Sequence, residues 1–179
     1  METDSFFWQL LKKLPETLFA LVGLSPKTAD QYRFDALEIK KSYRHDGVCV
    51  PTSVKLPVCF VEVQYRRRRH CYANLFAKVF SFLDANNPDQ DWIAAVLFPS
   101  HSAEPKPQPA YEDLLASPRV RRIFLDELKV PKDATAGLRI LQLVSAPAKQ
   151  SRELVSNLLE EARKESDCER ASVIVELME

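Results

Sequence analysis

Residues 57–65, PVCFVEVQY, constrain this chain more than any other stretch. The β-branched and aromatic residues that dominate the run favour a strand, and Pro57 sits at its start, where a missing N–H does least harm. Side chains alternate along a strand, so Glu62 and Gln64 project together about 6.6 Å apart while Val63 turns the other way into the core. The next segments predict how this strand is connected. Residues 70–83 carry Tyr72, Leu75, Phe76, Val79, Phe80 and Leu83 as one helical stripe that ends at Asn86-Asn87-Pro88. Residues 92–98, WIAAVLF, are a continuous apolar run of strand length, as expected for a buried central strand. A helix between two strands favours a right-handed parallel crossover.

Upstream, residues 33–40 and 44–50 read as two further strands with short polar links, which favours an antiparallel meander with residues 57–65. Residues 5–22 place Phe7, Leu10, Leu11, Leu14, Leu18, Leu21 and Val22 at helical spacing, with Pro15 starting a second set of turns and Gly23 ending it. The order helix, three strands, helix, strand predicts an α/β sandwich with a mixed central sheet. Residues 99–109, PSHSAEPKPQP, are too rich in proline for a regular element and read as a loop. Beyond them, residues 120–128 read as another strand, and residues 135–144 and 151–164 as helices. The expected organisation is one domain over residues 1–130 with a helical C-terminal extension over 131–179.

With 25 basic and 25 acidic side chains the net charge is zero, so any site for a polyanion must be local. Only three glycines occur and none forms a phosphate loop, which argues against nucleotide-fuelled chemistry. Cys49, Cys59, Cys71 and Cys168 lack C-x-x-C spacing, and two lie within apolar strand-like runs, where free cysteine acts as a small hydrophobe. No apolar run approaches the roughly 18 residues of a membrane span, and the N-terminus, METDSFFWQLLKK, is acidic where a secretory signal is basic. The expected location is the cytoplasm, with no membrane partner. Trp8 and Trp92 read as core residues, and His45 and His101 as incidental loop histidines.

Pro51 and Pro57 bracket the link between the second and third strands and are equidistant from Val54, which centres the simplest hairpin there. In that register Asp46 faces Glu62 with Cβ atoms about 5 Å apart. Two facing carboxylates repel each other, and a divalent metal bridging them is the economical remedy. The Val63 carbonyl is a further hard oxygen ligand. Were the first hairpin centred at Ser42, Glu38 would also face Asp46, and Lys40 would share that face; Lys41-Ser42-Tyr43 lacks the Gly or Asn that specifies such a turn.

RHDGVCVP followed by FVEVQY, in this order of elements, resembles the PD-(D/E)XK nuclease superfamily, and in particular the E-x-Q variant of the recombination-promoting nuclease and putative transposase group. LPETLFALVGL and YRFDALEIKKSYRHDGVCVP are similar to a branch of that group, and the likeness spans roughly residues 5–130. It implies a restriction-endonuclease-like αβββαβ core and Mg²⁺- or Mn²⁺-dependent DNA cleavage. Asp46, Glu62 and Gln64 would be the catalytic cluster, Asp46, Glu62 and the Val63 carbonyl the metal ligands, and Glu16 an auxiliary acid.

Gln64 stands where such nucleases usually carry lysine. An amide offers hydrogen bonds but no charge, so slow or conditional cleavage is the expectation. Arg66, Arg67, Arg68 and Arg69, directly after the motif strand, could grip DNA phosphates; the alternative is an ordinary solvated loop. Neutralising four phosphates would give binding a logarithmic salt slope of about −3.6 on duplex DNA. Double-strand cutting by so small a domain would be easiest as a two-fold dimer. The alternative to an enzyme is a nuclease-like fold that has lost catalysis and binds nucleic acid or protein, and a third possibility is a purely structural role.

Overall fold

The computed structural model describes residues 3–35, 38–39, 43–44, 47–131, 134–145, 154–156, 158 and 160. Helix α1 (Thr3–Lys13) and helix α2 (Glu16–Leu21) divide at Pro15, which lies at the N-cap of α2 with helical dihedrals, a position where proline forfeits no helical hydrogen bond. Gly23 follows with φ of +74°, the left-handed conformation that favours glycine and ends the helix.

The central sheet has five strands: β1 (Tyr32–Asp35), β4 (Gly47–Pro51), β5 (Val58–Val63), β6 (Trp92–Phe98) and β7 (Val120–Phe124), in the spatial order β1-β4-β5-β6-β7. Two short strands, β2 (Glu38–Ile39) and β3 (Tyr43–Arg44), form a separate ribbon between β1 and β4. Strands β1, β4 and β5 are antiparallel, whereas β5, β6 and β7 are parallel. Helix α3 (Cys71–Asn86) makes the crossover from β5 to β6, and Asn87 ends it in the left-handed region with φ of 37°, its N–H donating to the Leu83 carbonyl. The sheet is therefore mixed, as its element order predicts.

Two layers cover the sheet. On one face Cys59, Val61 and Val63 pack with Phe7, Leu10, Leu11, Leu18 and Phe19 of the N-terminal helices. Val58 and Phe60 face the other way, onto Leu75, Phe76, Val79 and Phe82 of α3. Burying both faces explains why β5 is buried at all six positions, Glu62 included. The buried side of α3 comprises Cys71, Tyr72, Leu75, Phe76, Lys78, Val79 and Phe82. That corrects the predicted stripe, since Phe80 is 45% exposed and Lys78 is buried. Trp8 and Trp92 lie half-buried at the margins instead of within the core; Lys12 sits over the Trp8 ring, and Trp92 meets Phe80 edge-on.

Residues 99–109 include a 3₁₀ turn at His101–Ala103, and helix α4 (Glu112–Ala116) precedes β7. Strand β7 stops at Phe124, short of the predicted residue 128, because a 3₁₀ turn begins at Leu125. Helix α5 (Ala136–Ser145) lies over α2 and places Ile140 and Leu141 in the same core as β5. Among the described residues no helix is long and apolar enough to cross a membrane.

Candidate active site

The β4–β5 hairpin has the predicted register: Gly47 pairs with Val61, Val48 with Phe60 and Cys49 with Cys59. Asp46, His45 and Lys40 lie outside the described residues. The first hairpin departs from the predicted register. Glu38 pairs with Arg44, so the expected pairing of Glu38 with Asp46 does not form. The physical reason is the one that weakens the prediction: residues 41–43 contain no Gly or Asn to fix a tight link, and β2 pairs with β3 in a different register.

Glu62 and Gln64, at the carboxyl end of β5, are 5% and 7% exposed. Period-two alternation puts them on the α3 side, and Gln64 Nε2 donates to Glu62 Oε1 at 3.2 Å. The second oxygen of Glu62 meets a residue that the motif does not contain. Lys78, on the buried side of α3 and itself 5% exposed, places its Nζ 2.6 Å from Glu62 Oε2. A charge is tolerated at such depth when it is paired and hydrogen-bonded, and here the two groups satisfy each other.

Lys78 corrects the expectation that the acids of this site meet without a protein cation. The amide at position 64 does not leave the cluster uncharged, because the ammonium arrives from the crossover helix. A signal for it exists in the sequence: Cys71, Leu75, Lys78 and Phe82 recur at helical spacing along one side of α3.

Gln64 Oε1 is buried and has no hydrogen-bond partner among the described residues. A buried carbonyl oxygen without a donor is costly, and next to a carboxylate it is a hard oxygen suited to a divalent cation or a bound water. Glu62 and Gln64 thus fit the expected Mg²⁺ or Mn²⁺ as oxygen donors. Val63 points its side chain into the opposite core, as predicted. Glu16, half-buried, opens α2 in the helical layer that covers the face opposite Glu62.

A second polar group adjoins this cluster. Glu104, in the proline-rich loop after β6, accepts hydrogen bonds from the Tyr72 hydroxyl and, at 3.2 Å, from Arg122 Nη1. Cys71 lies between the two groups. Burial pushes its thiol up to about 12, with Glu62 and Glu104 adding to the rise and Lys78 and Arg68 opposing it. Sequence reasoning misses Glu104, because nothing in PSHSAEPKPQP marks which residue folds back onto α3. His101 stacks on Phe124 with ring centroids 3.6 Å apart and bonds Glu127 at 3.0 Å, apart from any role at Glu62.

Burial also raises the thiols of Cys49 and Cys59, the latter to about 12. A thiol held protonated in the folded state stabilises the protein fully below its ordinary pKa of about 9 and loses that contribution as pH rises. The three buried thiols should therefore make unfolding easier by about 1.4 kcal/mol per pH unit each above pH 9. Urea midpoints taken at pH 8, 9.5 and 10.5 should fall steeply; a flat profile would contradict the burial of these groups.

Arg66, Arg67, Arg68, Arg69 and His70 are exposed and bridge β5 to α3, the two elements that carry Glu62, Gln64 and Lys78. The α3 N-terminus has no side-chain cap and no acidic residue in its first turn.

Fold and site together define an α/β protein with a mixed five-stranded sheet and a buried acid–amide–ammonium cluster at the carboxyl end of a parallel strand pair. The chain belongs to the family described as "Protein of unknown function (DUF2887)", whose model matches residues 3–179. Neither a curated protein nor a solved structure matches it.

Proposed function

We propose that this chain is a metal-dependent DNA endonuclease with a PD-(D/E)XK-type core, possessing the αβββαβ arrangement of restriction endonucleases. The observation that carries this reading is the buried Glu62–Lys78 pair beside Gln64, whose carbonyl oxygen has no donor among the described residues. Carrying the β4–β5 register one residue beyond Gly47 would set Asp46 opposite Glu62 and complete the acid pair. The ligands would be Asp46, Glu62 and the Val63 carbonyl, with Gln64 Oε1 adding a hard oxygen or holding a water. Bound Mg²⁺ or Mn²⁺ would supply a water of lowered pKa and positive charge for the phosphate.

The chain's own groups have separate parts in this scheme. Lys78 keeps Glu62 oriented through one proton and offers its others to a phosphate oxygen or the attacking water, so it takes over the work of the lysine that position 64 lacks. In the reaction the water oxygen joins phosphorus, the bond from phosphorus to the leaving sugar oxygen breaks, and a proton reaches that oxygen through solvent. The exposed arginines lie where they can hold the substrate backbone.

With added Mg²⁺ or Mn²⁺ the protein should nick supercoiled plasmid. Asp46→Ala should abolish nicking, and Lys78→Gln should slow it about a hundred- to a thousandfold, the scale of losing one preorganised transition-state donor. Equal cleavage by wild type and both variants would reject the assignment. A second reading, a nuclease-like module that binds nucleic acid without cutting it, is favoured by one observation: Lys78 already neutralises Glu62, so the pair is stable without a metal. Calorimetry separates the two, since only the enzyme needs to bind the divalent ion.

A further inference from the structure

In the sequence, residues 99–109 read as a proline-rich loop, yet in the structure residues 105–109 form one wall of a cleft of about 520 Å³. Arg67 and Arg69 form the other wall. Lys106 is exposed from the loop side while Pro105 beside it is buried, so the loop is anchored and its ammonium is free to reach into the cleft. The lining holds three cations and no acid, in a chain whose total charge is zero. Such local concentration of one sign in a concave site attracts an anion. Three of the five loop residues are prolines with fixed φ, so this wall is set before any ligand arrives.

The size of the cleft narrows the choice of anion. An open cleft of about 520 Å³ takes in a stretch of one strand with its phosphates toward the three cations, and a duplex would reach it with one backbone only. The Arg66–Arg69 segment leads from Gln64 to the helix that carries Lys78, so a strand held there runs beside the proposed catalytic cluster.

We infer that this cleft holds a single polynucleotide strand, with its phosphates between Arg67 and Arg69 on one side and Lys106 on the other; the inference rests on the nuclease reading for its purpose but not for its test. Binding of a fluorescent 12-nucleotide single strand is measured by anisotropy without divalent metal, beside the same sequence as a duplex. Lys106→Glu and Arg67→Glu should each weaken single-strand binding at least tenfold, whereas Lys55→Glu, an equal charge change on the exposed β4–β5 turn, should not. Lys106→Ala should lower the logarithmic salt slope by about 0.7, the loss of one phosphate contact on a single strand. No single-strand binding by wild type, or Lys106→Glu and Lys55→Glu acting alike, would overturn the inference. Plasmid nicking that depends on Asp46 would still stand in that event, so the two proposals fail separately.

Discussion

Lys78→Met is expected to destabilise the protein by about 3–5 kcal/mol, because it removes the ammonium 2.6 Å from the Glu62 carboxylate in a site only 5% exposed. Removing both charges should be far gentler: Glu62→Leu with Lys78→Met should fall within about 1 kcal/mol of wild type or exceed it, since replacing a buried ion pair by apolar groups is often neutral. Urea unfolding of the two single variants and the double variant gives the coupling energy directly. A Lys78→Met variant as stable as wild type would mean that the 2.6 Å contact does not hold in solution.

The same variants report on the metal. If Glu62 is a ligand, Mg²⁺ should restore part of the stability of Lys78→Met by replacing the missing cation. At one hundred times its Kd an ion bound only by the folded form contributes about 2.7 kcal/mol. The double variant, lacking the carboxylate, should gain much less. Identical gains in both would remove Glu62 from the ligand set and leave the buried pair as a structural feature.

Gly137→Ala should lower the melting temperature by about 5–10 °C, corresponding to a loss of roughly 2–3 kcal/mol from overpacking in a chain of this size. Helix α5 crosses α2 so closely at Gly137 that an added Cβ would lie 1.7 Å from Thr17 Oγ1 and 2.9 Å from Thr17 Cβ. Thr17 is fully buried, so neither group can swing into solvent and the helices must part. Helix propensity alone predicts the opposite sign, a gain of about 1 kcal/mol for alanine over glycine. Adding Thr17→Ala should recover only part of the loss, because the Cβ of residue 17 remains too near. A Gly137→Ala variant that melts at or above the wild-type temperature would show that α5 does not pack as described.

The elements that were legible in the sequence are those whose signals are local. Residues 92–98 announce a buried strand by unbroken apolar character, and β6 has those bounds. The two prolines around Val54 set the β4–β5 pairing because a hairpin's register follows from its turn. Where the turn carries no such residue, as at 41–43, the register could not be read, and Glu38 pairs with Arg44. Glu62 and Gln64 are legible because alternation along one strand suffices to place them together.

Lys78, Glu104 and Lys106 belong to a different kind of information. Each lies far along the chain from the group it faces: Lys78 is sixteen residues from Glu62, and Glu104 thirty-two from Tyr72. Helical spacing puts Lys78 in line with Leu75 and Phe82, but only the rotation of α3 on the sheet turns that line toward Glu62. A proline-rich loop carries no periodicity, so its contacts with α3 and Arg122 and its place across the cleft from Arg67 and Arg69 depend on where β6 delivers it.

By itself, then, the sequence determined the alternation of β5, the hairpin that pairs it with β4, the crossover to β6 and the acid–amide pair on one side of a strand, since each depends on neighbours a few residues apart. Only the tertiary structure decided that an ammonium from a helix meets Glu62, that an exposed loop lines a basic cleft, and that a glycine is needed where α2 meets α5. Those follow from how layers pack against one another, and close packing is a property of the assembled core that no single segment encodes.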